Sequence, residues 1–358
     1  MPVAFASCSI GSPKHTLHQK IEAITQNKFT GIELSFPDLI SYANQHFGRE
    51  IAEDDYPSLC EAATLVRHLC ESHNLQILVL QPFSNFEGHP RDSPAREDAF
   101  ARARGWIRIM EAAGTKMLQV GSSDTPDDAM TADRDMLAAD LAELADMLAE
   151  HGFRLAYENW CWATRAPRWR DVWDIVQRTN RSNVGLCLDT FQTAGGEWGD
   201  PTTEDGRAAG WERYTTSLKD LAGTVPADRI FFVQISDAYP MQPPLDAAPD
   251  PETGLRPRGR WSHDYRPLPY DGGYLPIRQF VEAVLATGYR GWWSIEVFDS
   301  RAGEKYGGDL FKFAAKARES YRKLMGDAML SEAVSGAGLW LGAYSGKRST
   351  TAAARLRP

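Results

Sequence analysis

Residues 183–191 read NVGLCLDTF, an apolar run that breaks on a carboxylate, Asp189, near its end. A run this continuous is expected of a strand covered on both faces, as in a parallel sheet packed under helices. Seven more runs resemble it: VAFASCSI (3–10), TGIELSF (30–36), LQILVLQPF (75–83), TKMLQVGS (115–122), FRLAYEN (153–159), RIFFVQIS (229–236) and GWWSIEVF (291–298). Between them lie segments with helical periodicity, such as 56–74 and 131–152, the second expected to start at a Thr131 cap and stop at Gly152. Eight strand–helix alternations predict an α/β fold, a (β/α)8 TIM barrel in a single domain over residues 1–327. The rival is an open doubly wound sheet, which would normally carry a Gly-rich phosphate turn after its first strand; SCSIGSPKH has no GxGxxG. The barrel also accounts for the long segment 237–274 between strands seven and eight, because the loops after barrel strands build the active face. Residues 328–358 read as a C-terminal extension, partly flexible towards its basic end.

Side chains on a barrel strand alternate between the helix layer and the interior, and each strand's C-terminal end opens on the mouth. If Asp189 points inward, so does Cys187, while Leu186 and Leu188 face the helices. The same parity turns Glu33, Gln81, Glu158, Gln234 and Glu296 into the mouth. Burying such groups unpaired costs several kcal/mol each, so a cation belongs among them. Glu158, Asp189, Gln234 and Glu296 stand on strands five to eight, neighbours in a closed barrel. Oxygen donors without cysteine or histidine suit Mg2+ or Mn2+, with Co2+ a further candidate. Taken singly, any of these acids could instead cap a helix or pair with an arginine. Glu158 and Glu296 are also candidate acid/base residues, and Glu33 and Gln81 candidate substrate contacts.

Composition narrows the partners. A net charge of −9 repels a phosphate backbone and argues against nucleic acid. No apolar run reaches the roughly 20 residues of a membrane helix, and MPVAFASCSIGSPKH lacks a basic lead-in and a cleavage site, so a cytoplasmic protein with no membrane partner is expected. Five cysteines without CxxC spacing suggest neither a disulfide framework nor a zinc knot. Self-association as a homo-oligomer is left open.

YENWCW (157–162), CLDTF (187–191), FVQISDA (232–238) and SIEVF (294–298), with TGIEL and LQPFSNFEG upstream, resemble the xylose-isomerase-like TIM barrels of the sugar phosphate isomerase/epimerase superfamily. Within it they are most similar to the fungal 3-dehydroshikimate dehydratases of quinate catabolism, over about residues 3–325. The resemblance implies a divalent ion at Glu158, Asp189, Gln234 and Glu296, and dehydration of a small hydroxy-ketone acid, 3-dehydroshikimate, to protocatechuate. The chain departs from the pattern at Ser84, where many related dehydratases carry Arg after QPF, and at Gln192, where bacterial relatives often have His after LDTF. Serine offers no fork for a carboxylate, and an amide is no base near neutral pH. Arg91, Arg165 and Arg266, all on mouth-side loops, are the replacements expected to hold the substrate carboxylate. For proton transfer His263 and His89 occupy such loops, whereas His68, His73 and His151 belong to helical segments and read as structural.

A metal that polarises a ketone stabilises the enolate formed when the neighbouring carbon loses a proton, after which the β-hydroxyl leaves. A ketose isomerase or epimerase would use the same ligands and reprotonate instead. A silent ligand-binding barrel is the reading from another class, and the intact four-ligand set argues against it.

Overall fold

A computed structural model describes residues 1–208 and 210–344, with side chains described as far as residue 330. All eight apolar runs are strands. They are β1 (Val3–Ala6), β2 (Gly31–Ser35), β3 (Gln76–Phe83), β4 (Met117–Gly121), β5 (Arg154–Glu158), β6 (Val184–Asp189), β7 (Ile230–Ile235) and, last in the barrel, β9 (Trp292–Ile295). They close in the order β1-β2-β3-β4-β5-β6-β7-β9, every pair parallel. The fold is a (β/α)8 TIM barrel.

The helices are α1 (Leu17–Gln26), α2 (Phe36–Phe47), α3 (Tyr56–Ser72), α4 (Pro94–Ala113), α5 (Arg134–Ala149), α6 (Trp169–Thr179), α7 (Thr190–Glu197), α8 (Trp211–Thr224), α9 (Pro257–Asp264), α10 (Ile277–Ala286), α11 (Ala302–Tyr306) and α12 (Leu310–Tyr344). Two cores follow from the strand parity. Ala4, Val79, Ala156, Cys187 and Phe232 fill the barrel interior, while Leu186, Leu188, Val233 and Ile295 join the helix layer. Helix α5 is capped by Asp133, whose side chain accepts the Asp135 N–H, and not by Thr131, which instead accepts the N–H of Asp133. The boundary expected at 327 falls inside α12, and residues 345–358 lie outside the described residues.

The segment after β7 is partly regular. It carries α9 and a two-residue strand, β8 (Tyr265–Arg266), antiparallel to β10 (Phe298–Asp299) just after the last barrel strand. Asp237 ties the segment down at its return, accepting the backbone N–H groups of Ala238 at 2.7 Å and Leu275 at 2.9 Å. Burial pushes the Asp237 carboxyl up to about 7. Among the described residues no helix is long and apolar enough to cross a membrane, and all five cysteines are free.

Candidate active site

The strand-end acids meet as parity requires. Glu33, Glu158, Asp189 and Glu296 are all buried, the most open of them only 6% exposed. Oxygens of Glu158, Asp189 and Glu296 lie within 4.8 Å of one another. Asp189 performs two tasks. One oxygen caps α7, accepting the N–H groups of Phe191 at 2.5 Å and Gln192 at 3.1 Å, while the other meets the Arg266 guanidinium. Helix capping and an acidic centre, alternatives in the sequence, are both true of this residue.

Glu158 is held from one side. Gln119 Nε2 and Trp160 Nε1, the latter at 3.2 Å, both donate to its Oε2, and its Oε1 has no protein partner. Glu296 accepts from Gln234 Nε2 at 2.9 Å and Gln81 Nε2 at 3.3 Å on Oε1, and from Arg266 at 3.2 Å on Oε2. Gln234, expected as a ligand, here braces two acids: its Nε2 also donates to Glu33 at 2.8 Å, and its Oε1 accepts from the Cys187 thiol at 3.2 Å.

Crowding of like charge away from water sets the electrostatics. Burial pushes Glu33 up to about 7. Burial, then the Asp189 charge, holds Glu158 well above the usual carboxylate range. Burial does the same to Glu296, with Arg266 opposing and Glu158 and Glu33 adding to the rise. Burial also disfavours the charge on Arg266, but Asp189, Glu296 and Glu158 outweigh it and hold the guanidinium above its ordinary value. One guanidinium faces four carboxylates, and Glu33 Oε1 and Glu158 Oε1 are buried without partners. A divalent cation among Glu158, Asp189 and Glu296 would offset the excess charge and give Glu158 Oε1 a partner. Three carboxylates with oxygens within 4.8 Å of one another are close enough to share one divalent ion. The residues therefore fit a divalent ion held by oxygen.

Above the acids lies a cavity of about 200 Å3 with Gln81, Gln119, Glu158, Arg266 and Glu296 among its polar lining. Trp160 and Trp162 line it too, stacked with ring centroids 5.1 Å apart. Trp160 can stand there only because residue 121 is glycine: a Cβ on Gly121 would fall 2.2 Å from the indole. His263 also borders the cavity, its ring edge-on to Trp162 at 6.0 Å. Partial burial lowers its pKa from 6.5, against the pull of Asp264 and with the help of Arg266.

Other expected residues fall elsewhere. Arg91 is exposed on the loop before α4 and is not in the cavity lining. Arg165 is captured by Asp127 at 2.7 Å and also donates to the Asp127 carbonyl. Arg266 does border the cavity, but as part of the buried floor and not as a free fork on a mouth-side loop: its donors go to Ser236, Ser262, Asp189 and Glu296. Glu33 lies below the lining, bonded to Gln234. His89 is bonded to the Asn85 carbonyl, and His73 and His151 to Leu69 and Glu111. Gln119, Trp160, Ser262 and Phe298 line the cavity and are absent from the sequence expectation. Gln119 had a signal, sharing its strand's inward parity with Gly121, which pairs with Glu158, and Trp160 and Phe298 stand within YENWCW and SIEVF, two residues after Glu158 and Glu296.

The chain is 31% identical over 339 residues to a Neurospora crassa 3-dehydroshikimate dehydratase, covering 91% of this chain and 94% of that protein. It is 34% identical over 284 residues to a Pseudomonas aeruginosa 3-dehydroshikimate dehydratase, covering 79% of this chain but only 36% of that longer protein. A solved xylose isomerase-like TIM barrel/4-hydroxyphenylpyruvate dioxygenase fusion protein superposes with a TM-score of 0.72 at 26% identity, covering 94% of this chain and 44% of that one. Residues 21–324 match the xylose isomerase-like TIM barrel family, and the chain belongs to it.

Proposed function

We propose that the protein is a 3-dehydroshikimate dehydratase, a carbon–oxygen lyase that releases water and forms protocatechuate with the help of a divalent ion, Mg2+ or Mn2+. The observation that carries this is the cluster of Glu158, Asp189 and Glu296 at the strand ends, roofed by a cavity sized for a single small ring. The fungal relative that aligns over nearly the whole chain supports the substrate.

Glu158, Asp189 and Glu296 would hold the ion, with Gln234 bracing Glu296 beside it. When bound, a divalent cation supplies Lewis acidity to the ketone oxygen. The remaining work belongs to the chain. An imidazole nitrogen of His263, neutral at pH 7, takes the proton from the carbon between the ketone and the departing hydroxyl's carbon. The hydroxyl leaves with that proton as water, and loss of a second ring proton to the former ketone oxygen completes the aromatic ring. Gln119 and Trp160 fix Glu158 so that only Oε1 is free. The Trp160–Trp162 pair offers a flat wall to a ring that becomes planar. The buried floor keeps water from the developing charge.

Purified protein incubated with 3-dehydroshikimate and Mn2+ should develop the ultraviolet absorption of protocatechuate. Exhaustive chelation should abolish it and added Mn2+ restore it. No product with the ion present, alongside conversion of a ketose, would replace this reading with the isomerase one.

A further inference from the structure

We propose that Arg266 is a resident counter-cation of the acidic cluster, which sets how tightly the site holds a divalent ion. The inference rests on reading Glu158, Asp189 and Glu296 as the metal ligands. It assigns Arg266 to the metal's competition for those ligands and not to the substrate.

Its anchoring comes first. Arg266 lies on β8, pinned opposite Phe298 of β10, and its side chain is 1% exposed. Nε donates to Ser236 Oγ at 2.9 Å and Nη1 to Ser262 Oγ at 3.3 Å. Nη2 meets Asp189 Oδ2 as well as the side chain and the carbonyl of Glu296, both at 3.2 Å. The guanidinium is also sandwiched between the rings of Phe191 and Phe298, 4.7 and 5.3 Å from their centroids. Each nitrogen is committed, so the group cannot swing to a new partner without breaking a buried bond. A free substrate clamp would keep a fork open to the cavity; this one spends its charge on two of the three carboxylates that face the ion.

A fixed positive charge in contact with two ligands has two effects. It lowers the mutual repulsion of Glu33, Glu158, Asp189 and Glu296, and so stabilises the fold before any ion binds. It also repels a divalent ion and holds lone pairs on Asp189 and Glu296 that the ion would use. Both effects act at a few ångströms among residues at most 6% exposed, where Coulomb interactions are stronger than in water. Affinity is thereby exchanged for a folded, organised site.

The test uses the full chain after chelation, with Mn2+ as the probe. Isothermal titration gives its Kd, and thermal melts with and without Mn2+ give the stability of each state. Arg266→Met, which keeps bulk and loses charge, should bind Mn2+ at least about tenfold more tightly than wild type. Its chelated form should melt lower, and Mn2+ should raise its melting temperature by more than it raises that of wild type. Arg266→Lys keeps the charge on a point donor that cannot span the same partners, so its Kd should fall between the two. An Arg266→Met that folds only with Mn2+ present also bears the inference out. If Arg266→Met does not fold at all, Arg266→Lys decides: tighter Mn2+ binding than wild type supports the inference, and equal or weaker binding overturns it. In a folded Arg266→Met, an unchanged or weaker Mn2+ affinity overturns it directly. A wild-type protein that takes up no divalent ion defeats the metal reading itself, a result visible before any variant is made.

Discussion

Replacing Gln119 with leucine removes one of the two donors that fix Glu158, and the structure sets the size of the effect. Gln119 Nε2 and Trp160 Nε1 converge on Glu158 Oε2, in a carboxylate 2% exposed, leaving Oε1 as the oxygen turned to the site. A hydrogen bond to a charged group contributes about 1.5–3 kcal/mol. At about 1.4 kcal/mol per decade its loss corresponds to a roughly 10- to 150-fold lower kcat/KM. Leucine matches the amide in volume, so little of the loss should come from packing. The assay is protocatechuate formation at saturating Mn2+, paired with the Mn2+ Kd, because an unfastened Glu158 should weaken both. Trp160→Phe should move both quantities the same way. Since the two donors share one oxygen, the double variant should depart from the sum of the singles. Wild-type kcat/KM and Mn2+ affinity in all three variants would refute the idea that Glu158 needs to be held.

Gly121→Ala drives a Cβ to 2.2 Å from the Trp160 indole, so it should destabilise by about 1–3 kcal/mol as an overpacked site and lower turnover by displacing Trp160; a urea melt beside the activity assay checks both. If His263 is the base, the acid limb of kcat/KM should titrate below 6.5, where its lowered pKa puts it, and His263→Asn should abolish that limb along with most of kcat. Glu87, buried and bonded to the Ser123 N–H and the Tyr157 hydroxyl at 2.8 Å each, has its carboxyl raised by burial from 4.5 to about 7. A raised folded-state value means its stabilisation is complete below 4.5 and is lost as pH rises through about 7. The stability of wild type relative to Glu87→Gln, from urea melts, should therefore decline between those limits; a difference independent of pH would show that Glu87 does not titrate in the fold.

What could be read from the sequence was what repeats with a short period. A barrel strand is covered on both faces, so each of the eight appears as an unbroken apolar run. Inside it the alternation of side chains carries the direction of Glu158, Asp189 and Glu296 without any knowledge of neighbours. Depth and partnership have no such period. Gln119 shares the inward parity, but its reach to Glu158 depends on the barrel's stagger, which pairs Gly121 and not Gln119 with that residue. Arg266 sits within a long segment whose course is decided by two-residue pairing with β10 and by the Asp237 clasp. Read as a mouth-side loop it suggests a substrate contact; folded, it is part of the floor. Arg165 follows β5 closely in sequence, yet Asp127 on the neighbouring loop takes it first.

Asp189 shows why the acids could be found while their chemistry had to wait for the fold. A strand-end aspartate that caps the next helix is a common structural device, and the N–H groups of Phe191 and Gln192 confirm that use. Those bonds occupy one oxygen and turn the other towards Arg266, in the cluster with Glu158 and Glu296. Capping therefore prepares the ligand: the helix holds the carboxylate rigid through Oδ1 and leaves Oδ2 to face Arg266. Glu158 is prepared likewise by Gln119 and Trp160, and Glu296 by Gln81 and Gln234. Each acid is anchored through one oxygen by neutral donors, and Arg266 holds the second oxygen of two of them. The charge that remains is concentrated where an incoming cation would stand, so the order of the site comes from amides, an indole and a helix end, and its affinity from how much of that charge a single guanidinium leaves uncancelled.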